Sequence, residues 1–266
     1  MDYSKNIMIT QRFYLSLLFS AAISALFISC APKAEKQPHH PLIIAHRGGA
    51  DLGIENSLSC IEKGIAAGAD MIEIDVHLTA DKQVVVNHDY TLDRTTDMTG
   101  KIEDYTFAEV RQCRLKHKDG TISEETIPTL AEVLAMCKSR CPVLLEIKSR
   151  PGCNEGIEVL CDSIVKSFGM ENEVIFQSFS SKSMEIIHSI DSTLRTELLL
   201  GEPSDIAFEV PYYASINVQY GMATPEYIEQ VHIAGKEIKI WTLNDTTNTY
   251  EGVDGIITNN PGLFLK

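Results

Sequence analysis

The chain has 266 residues, of which 44% are apolar, and a formal net charge of −14. This length and apolar fraction suffice to bury the core of one large α/β domain or of two small ones. The acidic excess argues against nucleic acid or an anionic membrane surface as a general partner, because both are bound through basic surfaces.

The first 29 residues have the pattern of an export signal. Lys5 and Arg12 precede an apolar run over residues 13–29 that has only small polar interruptions. The run ends in Leu26-Phe-Ile-Ser-Cys30, which resembles a bacterial lipoprotein signal in which the cysteine becomes the lipidated N-terminus. Lipidation of Cys30 predicts an exported protein that is anchored to a bacterial membrane, on the periplasmic side or at the cell surface.

Two alternatives for the N-terminus are an ordinary cleaved signal and a short membrane anchor, although the apolar run is marginal in length for spanning a bilayer. Residues 31–41 are polar and contain prolines, so we expect a flexible tether, followed by a folded domain over residues 42–266. Removal of residues 1–29 takes away two positive charges and one negative charge, which leaves a formal charge of −15.

Export makes disulfide bonds permissible among the six remaining cysteines. These are Cys60, Cys113, Cys137, Cys141, Cys153 and Cys161. The sequence does not select a pairing. Because Cys137 and Cys141 lack a second Cys/His pair at the spacing of a zinc site, we interpret the six as structural cysteines or free thiols.

Residues 42–45 predict a buried strand that ends in His46-Arg47-Gly48-Gly49. The two glycines allow the backbone to turn sharply directly after two charged side chains. Ser57 is the predicted N-cap of a helix whose apolar residues recur at helical spacing, and Gly68 ends that helix.

The next predicted strand, residues 71–78, contains carboxylates where a strand buried on both faces should be apolar. Glu73 and Asp75 are two residues apart, so their side chains point to the same side of the sheet. Two ionised carboxylates in a partly dry site require a shared proton or a cation. A short extended segment at residues 83–88 then delivers His88.

A later strand, residues 143–149, repeats this pattern. Glu146 and Lys148 share one face, and apolar residues occupy the other. Between the two strands, residues 91–127 form an irregular excursion with a short helix near residues 107–115, and a helix is expected from Pro128 to residue 136.

The rest of the chain alternates strands and helices. We predict strands at 173–179, 196–200, 214–219, 238–243 and 255–258, with helices at 155–168, 182–190 and 225–234. About eight buried strands alternating with helices indicate parallel βα units and a closed (β/α)8 TIM barrel, whose site lies at the carboxyl ends of its strands. A doubly wound open sheet is the alternative; no Gly-x-Gly-x-x-Gly turn follows a strand, which weakens a dinucleotide-binding version.

Seven polar residues thus collect at predicted strand ends in the first half of the chain. They are His46, Arg47, Glu73, Asp75, His88, Glu146 and Lys148. Three carboxylates suit a hard divalent cation, two histidines can transfer protons near neutral pH, and two basic residues can bind an anion such as phosphate. Each residue singly has a structural explanation, but their coincidence in buried strands favours a functional site.

An ordered series of motifs runs along the chain. It consists of His46-Arg-Gly, Glu55-Asn56, Gly68 to Asp75, Thr79-x-Asp81, His88-Asp89, Leu92-Asp-Arg-Thr-Thr96, Ile127-Pro-Thr-Leu, Leu145-Glu-Ile-Lys148 and Trp241-Thr-Leu-Asn244. The series resembles the glycerophosphodiester phosphodiesterase family from about residue 42 to the C-terminus. The resemblance implies a distorted (β/α)8 barrel with a small insertion after the second strand, here about residues 90–127.

The resemblance also implies roles for individual residues. A divalent ion, Ca²⁺ or Mg²⁺, would be held by Glu73, Asp75 and Glu146, with Glu55 or a neighbour close by. The remaining implied site residues are His46 and His88 as the acid–base pair, Arg47 and Lys148 as phosphate contacts, and Trp241 as a substrate contact at the barrel mouth. A core aromatic is the alternative for the tryptophan.

The implied reaction is hydrolysis of a small glycerophosphodiester, such as glycerophosphocholine, to an alcohol and glycerol 3-phosphate. His46 would activate a substrate hydroxyl for attack on phosphorus, His88 would protonate the leaving alcohol, and water would open the cyclic phosphate; the two roles are exchangeable. The alternatives are a related enzyme acting on lysolipids or sphingolipids, and a lipid-anchored protein that binds a phosphorylated ligand without turnover.

Two positions depart from the family pattern. The end of the last strand reads Thr258-Asn-Asn-Pro261, where an Asp before the proline is common, and Ser57 stands where Thr is usual. We expect neither departure to touch the catalytic residues.

Overall fold

A computed structural model of the chain describes residues 40–204, 206–248 and 250–265. The predicted signal at 1–29, the predicted lipidation site Cys30 and most of the predicted tether therefore lie outside the described residues. Within those three ranges, none of the helices combines the length and apolar character needed to cross a membrane.

Eight parallel strands close into a barrel. They are β1 (Leu42–Ala45), β2 (Met71–Leu78), β4 (Val143–Ile147), β5 (Val174–Ser178), β6 (Thr196–Leu200), β7 (Tyr213–Gln219), β8 (Glu237–Trp241) and β9 (Gly255–Thr258). β1 pairs with both β2 and β9, so the sheet has no open edge at this point, which excludes the doubly wound alternative. The additional strand β3 (Val84–Val86) pairs antiparallel with β2. The predicted (β/α)8 barrel is confirmed.

Seven helices are described in the connections between strands. They are α1 (Leu58–Ala66), α2 (Phe107–Val110), α3 (Leu130–Cys137), α4 (Ile157–Phe168), α5 (Ser181–Ile190), α6 (Ile206–Glu209) and α7 (Pro225–Ile233). The Ser57 hydroxyl accepts a hydrogen bond from the Cys60 N–H, which confirms the predicted N-cap of α1. α6 was not predicted, and the described residues between β8 and β9 contain no helix.

Two predicted helix boundaries differ from the structure. α3 begins after Thr129 and not at Pro128, because the Thr129 hydroxyl and the Glu132 carboxylate form a capping box there. The helix expected near 107–115 ends at Val110, because the chain beyond it is drawn into other pairings. The Arg114 N–H donates to an Asp97 carboxylate oxygen at 2.7 Å, and the following residue bridges to residue 96.

The segment between β3 and α3 has a small hydrophobic core of its own. Ile102, Val110, Leu115 and Ile127 from this segment pack with apolar residues of β3 and of the loop before α1. The main core lies between the barrel strands and the surrounding helices. The segment is therefore a compact layer fixed against the carboxyl-end loops of the barrel.

The six cysteines in the described part of the chain are all buried and unpaired. Burial raises the pKa of the Cys60 thiol to about 12 and that of Cys137 to about 12, so both remain protonated at neutral pH. These residues act as small apolar side chains of the core, as one of the sequence interpretations expected.

Candidate active site

His46 and Arg47 lie on a tight turn directly after β1. Arg47 adopts the left-handed conformation with φ 53, which costs a non-glycine residue about 1–2 kcal/mol. This conformation directs its backbone N–H to Glu73, 2.8 Å from Oε2. At Gly48, with φ 80, a Cβ would lie 2.9 Å from the Ile61 backbone nitrogen, so the turn packs directly against α1. The turn ties the end of β1 to a carboxylate of β2.

Glu73, Asp75 and Glu146 form a buried acidic triad at the carboxyl ends of β2 and β4. The parallel register places Asp75 opposite Glu146, and one carboxylate oxygen from each of the three residues lies within 4.8 Å of the others. Burial and the neighbouring carboxylates raise the pKa of Glu73 well above its ordinary value and that of Glu146 to about 7. The three predicted metal ligands are thus brought together.

The chemistry of this triad fits a hard divalent cation. Buried carboxylates that repel one another gain free energy when a cation replaces the shared proton, and oxygen ligands are those that Ca²⁺ and Mg²⁺ prefer. Asn56, which has φ 61, donates from Nδ2 to Asp75 Oδ2 at 2.9 Å and orients that carboxylate. The residues present are therefore suitable to hold the predicted metal.

Lys148 lies between two members of the triad. Its Nζ is 2.8 Å from Asp75 Oδ1 and 2.6 Å from Glu146 Oε1. Although burial alone would raise the pKa of Asp75, the nearby ammonium group lowers it below its ordinary value. The structure thus shows Lys148 as the internal counter-charge of the triad, and its contact with phosphate stays a prediction.

The two histidines and the arginine line one cavity of about 100 Å³. His46 Nδ1 lies 2.7 Å from Asn259 Oδ1, and His88 Nδ1 lies 2.7 Å from Asp89 Oδ1. Because Nδ1 is hydrogen-bonded in each ring, Nε2 is the nitrogen left for proton transfer. Burial and the Arg47 charge lower the pKa of His46 to about 4, so this imidazole is neutral at neutral pH.

The expectation that the end of β9 does not touch the catalytic residues is wrong. Asn259 follows β9 directly, and its side chain is the hydrogen-bond partner of His46. The Asn259 N–H in turn donates to Asn244 Oδ1 at 2.8 Å. Since β9 pairs with β1, barrel closure brings these residues beside the turn after β1, a contact that local sequence patterns do not reveal.

An outer ionic network surrounds this cavity. Arg47 Nη1 lies 2.9 Å from Glu55 Oε1, while its buried Nε has no hydrogen-bond partner among the described residues. Arg94 makes paired hydrogen bonds to Glu55 and to Asp89. From the sequence, Arg94 was noted only as part of the motif at residues 92–96, and its place at the site was not predicted. Its position six residues after His88 was the only signal.

Trp241 lies at the mouth of the cavity and is partly exposed. Its Nε1 donates to the Asn217 carbonyl at 3.1 Å, and its ring meets Phe179 edge-to-face at 5.4 Å between centroids. With Leu199 and Ile257, these two aromatic rings form the apolar part of the cavity lining. A substrate contact through Trp241 stays a prediction, and Phe179 is a lining residue that sequence reasoning missed.

The fold and the site together define a barrel enzyme with its acidic triad and histidine pair at the carboxyl ends of the strands. The model of the Glycerophosphoryl diester phosphodiesterase family matches residues 46–263. A glycerophosphodiester phosphodiesterase of Caldanaerobacter subterraneus subsp. tengcongensis is 34% identical over 235 residues, which cover 85% of this chain and 96% of that protein. The chain therefore belongs to this family of phosphodiesterases.

Solved structures share the architecture. The glycerophosphodiester phosphodiesterase of Thermotoga maritima is 28% identical with a TM-score of 0.69, and the match covers 86% of this chain and 98% of that one. An Oleispira antarctica phosphodiesterase in complex with the product sn-glycerol-3-phosphate is 24% identical with a TM-score of 0.76, covering 85% and 95% of the two chains. The latter likeness shows a common fold.

Proposed function

We propose that the protein hydrolyses glycerophosphodiesters to an alcohol and glycerol 3-phosphate, using a bound divalent cation. The observation that carries this proposal is the cavity that brings His46, His88 and Arg47 together with Glu73 of the acidic triad. Family membership narrows the substrate, because the relative from C. subterraneus carries the name of this activity and the O. antarctica structure holds sn-glycerol-3-phosphate.

Glu73, Asp75 and Glu146 would hold the cation, Ca²⁺ or Mg²⁺. When bound, the cation supplies positive charge to the phosphoryl oxygens. The guanidinium group of Arg47, whose Nε lies 3.7 Å from Asp75 Oδ2 without forming a hydrogen bond, is proposed to donate to a non-bridging oxygen of the phosphodiester. Lys148 and Trp241 are proposed to contact the phosphate and the substrate body, respectively. These contacts fix the phosphorus atom between the two histidines.

Proton transfer then belongs to the histidine pair. Neutral His46 takes the proton of the glycerol hydroxyl next to the phosphodiester, and that oxygen attacks phosphorus. The bond from phosphorus to the other alcohol breaks as protonated His88 gives its proton to the leaving oxygen, which yields a cyclic phosphate. In the second half, His88 takes a proton from water, the water oxygen attacks phosphorus, and His46 returns its proton to the ring oxygen. The geometry also allows the two roles to be exchanged.

Family membership favours glycerophosphodiesters over lysolipids or sphingolipids, because the relative from C. subterraneus is named a glycerophosphodiester phosphodiesterase. A binding protein without turnover is also disfavoured, because both histidines have a partner that orients Nδ1 and leaves Nε2 facing the chemistry.

The test is release of glycerol 3-phosphate from glycerophosphocholine by the purified protein, with and without EDTA. We expect metal-dependent release, and a loss of about 10²–10⁴-fold in kcat for His46→Ala and for His88→Ala. The matched control is His232→Ala, which removes an exposed histidine paired with Asp254 away from the site and should leave kcat unchanged. Absence of metal-dependent release with every glycerophosphodiester tried would refute the proposal.

We also propose that Cys30 carries a lipid that holds the exported domain on a bacterial membrane. The support is the sequence pattern at residues 1–30, with residues 31–41 as the tether. Membrane fractionation and labelling with a fatty acid test it, because Cys30→Ala should lose the label and leave the membrane fraction. Persistent membrane association of the variant would indicate an uncleaved anchor.

A further inference from the structure

We propose that Arg94 is a positioning residue that holds His88 and Arg47 in place at the same time, through two separate carboxylates. The proposal rests on the proposed function, since it concerns the geometry of that reaction. Arg94 lies on the segment between β3 and α3, so a residue from outside the barrel strands would set the alignment of groups that the barrel carries.

The guanidinium group of Arg94 is hydrogen-bonded to two carboxylates. Nε and Nη2 donate to Asp89 Oδ2 and Oδ1 at 2.7 and 2.9 Å. Nη1 and Nη2 donate to Glu55 Oε2 and Oε1 at 2.7 and 2.8 Å. Paired bonds between a guanidinium and a carboxylate fix an orientation as well as a distance, and Arg94 makes two such pairs.

The same two carboxylates also bind side chains of the active site. Asp89 Oδ1 also accepts from His88 Nδ1 at 2.7 Å, and Glu55 Oε1 also accepts from Arg47 Nη1 at 2.9 Å. Each carboxylate therefore has Arg94 on one side and a predicted catalytic or phosphate-binding side chain on the other. Arg94 joins the acid–base group and the phosphate-binding group in one rigid arrangement.

The exposure of Arg94 indicates that its contacts matter more for positioning than for stability. The Arg94 side chain is 49% exposed, and exposed ion pairs contribute little to the free energy of unfolding. A displacement of about 1 Å at a reacting group, by contrast, costs about 10²-fold in rate. Four charge-assisted hydrogen bonds at so exposed a residue are thus worth more to the alignment of His88 than to the stability of the fold.

The charge of Arg94 acts in the same direction. Without it, the Glu55 carboxylate would lose its second cation and would neutralise Arg47 more completely, which would leave Arg47 less able to attract phosphate. The Asp89 carboxylate, freed on one side, would rotate and no longer fix the ring of His88. The other titratable groups that face His88 include Asp75, Lys148, Arg47 and His46, whereas the partner of its Nδ1 is Asp89.

The experiment compares Arg94→Ala and Arg94→Lys with Arg111→Ala. Arg111 lies on the same segment and makes a paired ion pair with Glu132, away from the cavity, so it is the matched control. We expect Arg94→Ala to lower kcat by about 10²-fold with a much smaller change in KM, and to shift the melting temperature no more than Arg111→Ala does. Arg94→Lys should recover only part of kcat, because one ammonium group cannot bond both carboxylates in pairs.

A mutant cycle tests the route of the effect. If Arg94 acts through Asp89 and Glu55, adding Arg94→Ala to the Asp89→Asn, Glu55→Gln variant should change kcat little further. Full kcat in Arg94→Ala, or independent effects that multiply, would overturn the proposal.

A readout without turnover keeps this proposal distinct from the proposed function. The ¹⁵N chemical shifts of the His88 ring report which nitrogen carries the proton, and Arg94→Ala should weaken the preference for Nδ1–H. Unchanged ring shifts would overturn the positioning role even if the unmodified protein hydrolysed no glycerophosphodiester, an outcome that would refute the proposed function on its own.

Discussion

Two charged clusters of the barrel differ in how their charges balance. Toward the amino ends of β6 and β8, Lys239 Nζ lies 2.6 Å from Glu197 Oε1 and 3.3 Å from Glu237 Oε2. Arg195 makes ion pairs with the same two carboxylates. Two cations thus face two carboxylates, and the Lys239 side chain is fully buried without needing a ligand.

At the carboxyl ends of the strands, five carboxylates face three cations. The carboxylates are Glu55, Glu73, Asp75, Asp89 and Glu146, and the cations are Arg47, Arg94 and Lys148. When all five carboxylates are ionised, as metal binding requires, the excess of two negative charges equals the charge of one divalent cation. Charge balance, and not burial alone, therefore distinguishes a structural cluster from a site that binds a ligand.

Of the changes considered, Glu73→Gln should have the largest effect on the cluster at the carboxyl ends of the strands, which we call the open cluster. Loss of one ligand should weaken Mg²⁺ or Ca²⁺ binding and lower kcat by about 10³-fold. The metal-free protein should unfold at the same temperature or higher, because the variant removes a buried carboxylate whose charge is costly. Metal titration and thermal unfolding in EDTA measure the two parts. An unchanged metal affinity would contradict the ligand assignment.

Glu197→Gln makes the matching change in the charge-balanced cluster around Lys239, which we call the closed cluster. It leaves buried Lys239 with only Glu237 as a carboxylate partner, and breaking a buried pair in this way costs about 3–5 kcal/mol of unfolding free energy. Metal affinity should not change. Urea unfolding gives the stability, and Glu62→Gln, in an exposed pair with Arg140, is the control. A stable Glu197→Gln variant with weakened metal binding would show that the two clusters are coupled.

Gly64→Ala should disturb the open cluster indirectly, by displacing the turn after β1 that carries Arg47. A Cβ at Gly64 would lie 2.5 Å from the Gly48 carbonyl oxygen, on the turn that carries Arg47. Alanine normally stabilises a helix by about 1 kcal/mol relative to glycine, but here overpacking should cost about 1–3 kcal/mol and raise KM. Thermal unfolding and steady-state kinetics measure both effects. Lys63→Ala, its neighbour on α1, is the control, and a stabilised Gly64→Ala variant would exclude this contact as a constraint.

The pH dependence of metal binding should show the smallest effect. With the pKa of Glu146 raised to about 7, protons compete with the metal below that pH, so the dissociation constant should rise as pH falls from 8 to 6. For one carboxyl group with a pKa of about 7, the expected change is about tenfold over this whole range. Glu146→Gln should flatten this dependence. A dissociation constant that does not change with pH would mean that the triad is already fully ionised.

The sequence supported the barrel and the triad because both follow from local periodicity. Glu73 and Asp75 interrupt one apolar strand, Glu146 interrupts another, and parallel pairing brings such interruptions to the same edge. The prediction of the triad uses only two general rules. Side chains alternate along a strand, and the site of such a barrel lies at the carboxyl ends of its strands.

The remaining contacts depend on tertiary closure. His46 and Asn259 are 213 residues apart, and Arg94 reaches Glu55 across 39 residues from a segment that has no regular period. The position of Lys148 between Asp75 and Glu146 depends on side-chain geometry that strand alternation does not specify. No local pattern encodes these distances.

The pairing of β1 with β9 has a consequence for the order in which the protein becomes active. His46 lies near the start of the folded domain and its partner Asn259 near the end, so the complete site exists only after the last strand has been synthesised and has joined the first. Contacts so distant in sequence form late and slowly. A partly made chain would carry the residues of the acidic triad but not an oriented His46, and would not yet hydrolyse substrate.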